Sequence, residues 1–252
     1  MRALIALWTK ELLQHRAYPM DLLSLAVSPF LIIAPFLFAA KIYPRADLHA
    51  TVAVGLILWY WLSTFFWSVG FGLRDEMEEG VLESLLLAPV PLPTLLLAKA
   101  LDNLLVNLYI TGSILLLLRV VAGVTLPIWS GGFALMLLGA SLAFSALALL
   151  HAALLLLVKQ ASGLGNITQE AMGVLGGMTA PVTVLPRPVQ WVSGALPLTY
   201  AIAGARSALD SALPLREFLV LLGFAAAFGA LGLLLLDRAE RRLRLTGGAG
   251  EY

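Results

Sequence analysis

Long apolar runs, free of period-two alternation, divide the chain into segments near or above the roughly 20 residues a helix needs to cross a bilayer. Six runs read as such helices: 22–42, 51–73, 95–121, 131–158, 163–185 and 218–236. A membrane-spanning strand would alternate lipid-facing and lumen-facing side chains, so the continuous runs predict helices and not a closed barrel. Most polar positions gather in three other stretches, 1–18, 74–94 and 186–216, and each calls for its own explanation.

In the first stretch, Leu4, Ile5, Trp8 and Leu12 fall on one side of a helix and Arg2, Thr9, Lys10 and Arg16 mainly on the other. That division predicts a helix lying in the membrane interface, with Tyr18 and Pro19 turning the chain into the bilayer. Arg2, Lys10, Glu11, Gln14 and Arg16 interrupt the apolar pattern, so a cleavable signal peptide is not expected.

Composition agrees with lipid as the main solvent. Hydrophobic residues make up 60% of the 252 and charged residues 12%, against a charged share of about 25% in soluble domains. Six crossings leave no room for a large soluble domain, so 1–252 reads as one all-α polytopic membrane domain. The absence of cysteine excludes a disulfide or a thiolate metal site. Lys and Arg are more numerous on the loops of the N-terminal side, most densely from Arg238 to Arg244, which predicts both termini in the cytoplasm of a cell inner or plasma membrane.

The second stretch carries Arg74, Asp75, Glu76, Glu78, Glu79 and Glu83 between two apolar runs. After Gly80, the residues Val81, Leu82, Leu85 and Leu86 recur at i, i+1, i+4 and i+5, which predicts a short helix with one apolar face. Pro89, Pro91 and Pro93 forbid its continuation. An apolar face beside so much charge, on the cytoplasmic side, suggests a docking surface rather than a solvated loop.

At these residues the chain resembles the permease subunits of ABC type 2 exporters, a fold shared by bacterial drug, lipid-linked glycan and teichoic acid exporters. The resemblance rests on the N-terminal interfacial helix and on Glu79-Gly80-x-Leu82-Glu83-x-Leu85 followed by Pro89. It rests further on Leu185-Pro186-x-Pro188-Val189-Gln190-Trp191-Val192-Ser193-Gly194-Ala195-Leu196-Pro197-Leu198-Thr199-Tyr200, where Leu196 stands in place of the family's usual Asn. It implies that 81–87 is a coupling helix seated in a cleft of a separate ATP-binding subunit. It also implies two ATPase copies and a second permease, in a homodimer or heterodimer. ATP and Mg would belong to the ATPase partner, with no cofactor on this chain. The sequence independently lacks a G-x-x-x-x-G-K-[ST] phosphate loop, so ATP hydrolysis of that type needs another polypeptide.

The third stretch, 186–216, is too proline-broken to cross, yet Val189, Trp191, Val192, Leu196, Leu198 and Ile202 are too apolar for a free loop. Short re-entrant helices from the outer face satisfy both constraints, and the resemblance implies the same. Pro186, Trp191, Pro197 and Tyr200 are candidates for the pathway or for interfacial anchoring. In the fifth run, Asn166, Gln169 and Glu170 share a helix face, followed by Gly173, Gly176 and Gly177. An ionisable residue in a membrane helix is a functional candidate by default; the glycines equally suit close helix packing or a dimer interface. In the third run, Lys99, Asp102, Asn103 and Asn107 cluster at helical spacing, with Lys99 and Asp102 placed to pair structurally. His151, alone among Ala and Leu, reads as a packing or hydrogen-bonding residue.

The leading reading is therefore a permease half of an ATP-driven exporter moving an amphipathic drug, lipid or lipid-linked glycan. Its alternative is an ion-coupled secondary transporter or channel using Glu170, which would predict internal repeats that the halves do not show. An intramembrane enzyme is disfavoured by three scattered histidines and no cysteine. No metal site and no nucleic-acid partner is expected, and no His or Met cluster points to haem.

Overall fold

A computed structural model describes residues 2–42, 46–72, 91–123, 131–157, 162–210 and 212–246, and every regular element among them is helical. The helices are α1 (Arg2–Ala17), α2 (Pro19–Ile42), α3 (Ala46–Phe65), α4 (Leu92–Leu117), α5 (Gly131–Leu157), α6 (Ser162–Leu175), α7 (Arg187–Gly194), α8 (Pro197–Leu209) and α9 (Leu215–Thr246). Wider π turns extend α3 over Phe66–Phe71 and α4 over Leu118–Ala122. The expected coupling segment, with Glu79, Gly80, Val81, Leu82, Glu83, Leu85, Leu86 and Pro89, lies outside the described residues.

Five helices among the described residues are long and apolar enough to cross a membrane: Pro19–Phe36, Ala50–Gly70, Leu92–Val121, Gly131–Leu157 and Leu215–Arg241. They coincide with five of the six expected runs. The fifth run, expected as one helix over 163–185, differs. Its helix ends at Leu175 after 14 residues, about 21 Å at 1.5 Å per residue and short of a roughly 30 Å hydrocarbon core. The stop is chemical: Gly177 takes a left-handed φ of 86°, Met178 N–H donates to Gly173 O at 3.1 Å and Gly177 N–H to Val174 O at 3.2 Å. This pair of bonds is the Schellman arrangement, which satisfies the last carbonyls of a helix and needs glycine at the left-handed position. Pro181, with no N–H, could not donate to the Gly177 carbonyl had the helix run on.

Side-chain contacts fix the directions of the chain. Trp61 meets Thr111 and Thr64 meets Asn107, so α3 and α4 run antiparallel. Between α5 and α9 the sense is opposite: Gly139 lies against Phe218, Gly229 near Ala146, and Gly232 against Leu150, so the two helices run parallel. Their first turns meet as well, since a Cβ on Gly132 would stand 3.2 Å from Pro214. Between α5 and α9, the chain returns from the end of one to the beginning of the other through α6, α7 and α8.

The core is centred on α3, with Trp61, Phe65, Phe66, Leu56 and Ile57 buried against Phe144 and the alanines of α5. Lipid offers helices no hydrophobic reason to associate, so close approach depends on small residues. The α5 face toward its neighbours supplies them: Gly139, Ala140, Ala143, Ala148 and Ala152 are buried there. α1 packs against α4, and Ile5 on α1 lies at the protein surface at 55% exposure.

Candidate functional site

A polar seam runs through the apolar bundle between α3, α4 and α6. Trp61 Nε1 donates to Thr111 Oγ1 at 2.8 Å, Thr64 Oγ1 to Asn107 Oδ1 at 2.9 Å, and Asn107 Nδ2 to Asn103 Oδ1 at 3.4 Å. From α6, Gln169 Nε2 donates to Ser63 Oγ at 2.6 Å. The spacing of Asn103, Asn107 and Thr111 by fours puts all three on one stripe of α4. At the base of the seam the His15 imidazole of α1 donates to the Asp102 carboxylate, at 2.9 and 3.2 Å to its two oxygens.

Beside this seam lies an open cavity of about 690 Å³. α3 contributes Trp59, Tyr60, Ser63, Thr64 and Trp67 to its wall, α4 contributes Asp102 and Asn103, and α6 contributes Gln169 and Glu170. The cavity occupies the half of the bundle that carries α1, since His15 also borders it. Two of its polar neighbours are incompletely satisfied by the described residues: Asn103 Nδ2 and Gln169 Oε1 have no hydrogen-bond partner there, although the two residues are only 3% and 5% exposed. Trp59 Nε1 is in the same position. Unpaired buried polar groups cost about 1–3 kcal/mol each, so a cluster of three beside a cavity marks a place where stability is not the governing requirement.

The expected α6 residues therefore meet a wall that the sequence reading did not assemble. Gln169 and Glu170 face the cavity, and Gly173 sits against the Trp59 ring, where a Cβ would come to 2.5 Å. Asn166 belongs to α6 by its backbone, and its side chain lies outside the described part. The aromatic wall of Trp59, Tyr60 and Trp67 was missed because an aromatic in an apolar run looks like core. Ser63-Thr64, two hydroxyls in the middle of that run, was the available signal.

The late motif occupies a separate place, away from the cavity wall. Two short helices, α7 and α8, stand where short helices were expected. Polar members of the motif cap the breaks between them: Gln190 Nε2 donates to Leu185 O at 2.8 Å, Thr199 Oγ1 to Ser193 O at 2.7 Å and Tyr200 O–H to Gly194 O at 3.0 Å. The Tyr200 ring packs on Phe224 with centroids 5.8 Å apart, Pro197 is buried at the first turn of α8, and Pro186 is exposed just before α7. Trp191 projects outward at 82% exposure. This placement gives Tyr200 a packing role and leaves Trp191 on the surface.

Arg206, one of the cations of the outer stretch 186–216, ties this segment to the bundle. Its guanidinium donates through Nε and Nη2 to Thr51 O at 3.1 and 2.9 Å and through Nη2 to Gly177 O at 2.9 Å. One side chain thus clips the start of α3 and the glycine turn after α6 to α8. Burial lowers its pKa to about 10, which leaves it charged at neutral pH. Gly55 makes the approach possible: a Cβ there would run into the Met178 carbonyl and stand 2.8 Å from Arg206 Nη2.

His151 of α5 tilts its ring over Phe66 with centroids 4.8 Å apart and lies against Gly70, in keeping with a packing role. No group of three or more metal-ligating side chains occurs among the described residues.

Comparison with known proteins bears on the bundle as a whole. Heme exporter protein B of Escherichia coli K12 is 35% identical over 74 residues, 29% of this chain and 34% of the relative. The corresponding protein of Shigella flexneri matches to the same extent, so the match spans about a third of the length of these relatives. Far broader is the agreement with the sequence pattern of the ABC-2 type transporter family, which extends over residues 4–209. The range takes in α1, four of the five long helices, the polar seam and the clipped outer segment, and on this ground the chain belongs to the ABC-2 type transporter family, as a multi-pass membrane subunit of an ABC transporter.

Proposed function

We propose that the chain is the permease subunit of an ATP-driven exporter that moves an amphipathic drug, a lipid or a lipid-linked glycan outward. The observation that carries this reading is the family pattern over 4–209, joined to a cavity whose wall includes the polar face of α6. Two copies, or this chain and a homologue, would build the pathway at their contact, and two ATPase subunits holding ATP and Mg would drive it. The segment 81–87 is the coupling helix in this arrangement. Both termini lie in the cytoplasm, and the cavity opens on the inner half of a plasma or inner membrane.

The parallel course of α5 and α9 supports six crossings. Two parallel neighbours require the intervening chain to return across the bilayer, and among the described residues α6 with the segment after it is the candidate for that return. α7 and α8 then dip in from the outer face as re-entrant helices. Arg206 supplies the polar contacts that non-helical backbone at such depth needs.

The test is recovery of the detergent-solubilised chain from its native membranes, beside Glu83→Arg and Leu82→Asp variants, with an ATPase assay of what co-purifies. The expected result is an ATPase with the wild type and its loss with both variants. A chain that emerges with no ATPase overturns the exporter reading and turns attention to Glu170 as an ion-coupled site.

A further inference from the structure

We infer that the cavity between α3, α4 and α6 selects planar organic cations. The inference names the substrate class of the proposed exporter and rests on that reading only for its transport role; occupancy of the cavity stands on the chain alone.

Two features of the wall converge. The first is charge: Glu170 and Asp102 line the cavity, and the cation bordering it among the described residues, His15 when protonated, is already engaged by Asp102. Among the described residues the wall thus carries two carboxylates against one imidazole. An anionic or phosphate-bearing cargo would meet repulsion there, and haem, with its two propionates, would meet the same. The second is shape: Trp59, Tyr60 and Trp67 supply aromatic surface from one helix, and aromatic faces attract cations through the ring quadrupole. Trp67, on the π turn, is 54% exposed.

Each alternative cargo leaves part of this wall idle. A neutral lipid tail gains from the rings but leaves Glu170 desolvated without compensation. A glycan can donate hydroxyls to the carboxylates and stack on the rings, but being neutral it lacks the Coulomb attraction that a cation gains.

The test uses the full-length chain in lipid nanodiscs, with empty nanodiscs subtracted and no ATPase present. Rhodamine 123, a planar xanthene cation with N–H groups, and fluorescein, the same ring system as an anion, are titrated by fluorescence anisotropy. Rhodamine 123 is expected to bind about tenfold or more tightly than fluorescein. Glu170→Gln is expected to weaken the cation about fivefold and to leave fluorescein unchanged or improved. Trp67→Leu, at an exposed position that spares the core, is expected to weaken the cation by a similar factor of about five. Equal binding of the two dyes, tighter binding of fluorescein, or no binding of either overturns the inference. So does retention of full rhodamine affinity in both variants. Because no ATPase takes part, failure here with the ATPase still co-purifying removes the substrate class and keeps the exporter; cation binding without a co-purifying ATPase does the reverse.

Discussion

The α5–α9 contact and the α3–α4–α6 seam are both helix interfaces in the same bundle, and they are built on opposite principles. Between α5 and α9, glycines and alanines let the backbones approach until a Cβ on Gly232 would stand 3.0 Å from the Leu150 amide nitrogen. Across the seam, hydroxyls, amides and an indole hold the helices by side-chain hydrogen bonds, and an open cavity of about 690 Å³ remains. In lipid, dispersion between close-packed backbones is a dependable source of adhesion, whereas interhelical hydrogen bonds average only about 0.6 kcal/mol. The first interface therefore has the character of a fixed scaffold. The second is held by several weak, exchangeable bonds, which suits surfaces that must part to admit a ligand.

The sharpest way to break this comparison is to insert volume where the scaffold has none. Gly232→Leu must push against the Leu150 backbone, which cannot yield as a side-chain end can. Overpacking of this kind costs typically 1–3 kcal/mol, and the loss is expected at or above about 3 kcal/mol. The measurement is thermal unfolding of the purified chain, followed by loss of the monodisperse peak. Gly223→Ala on the same helix, where a Cβ meets nothing within 4 Å, should change stability by no more than about 1 kcal/mol. A Gly232→Leu protein as stable as the Gly223→Ala protein would show that α5 and α9 slide freely and are no scaffold.

Next in size is the clip that joins the two regions. Arg206→Met strips donors from the Thr51 and Gly177 carbonyls, and the expected loss is about 2 kcal/mol. Arg206→Lys should recover part of it, because an ammonium can reach one carbonyl but not hold both in a planar fork. Full stability in Arg206→Met would mean that water or lipid headgroups already satisfy those carbonyls and that the outer segment is not clipped.

These contrasts were unequally legible in the sequence. Length and apolarity identify a spanning helix directly, so 22–42, 51–73, 95–121, 131–158 and 218–236 emerge as long helices with only their ends displaced. The fifth run was harder because Gly176-Gly177 reads as a packing motif when only periodicity is considered. Whether glycine packs or terminates depends on φ, and the 86° at Gly177 is a property of the folded turn. Glu170 and Gln169 were visible as polar residues out of place. Their wall was not, since the pairing of Gln169 with Ser63 spans 106 residues of sequence. His15 with Asp102, and Arg206 with Thr51, are equally non-local.

The smallest effect bears most directly on why the seam exists. Trp61→Phe and Thr111→Val each remove one end of the 2.8 Å indole-to-hydroxyl bond while preserving most of the packing. In a double-mutant cycle of thermal unfolding their coupling is expected near 0.6 kcal/mol, the typical value for such bonds in membranes. A larger coupling, above about 2 kcal/mol, would make the bond a strut and the seam a second scaffold, with the polar residues there for fixity. A coupling near the expected value supports the opposite conclusion. Helices joined by several bonds of that size can exchange them for contacts with a ligand one at a time, and none of those exchanges needs the whole interface to open.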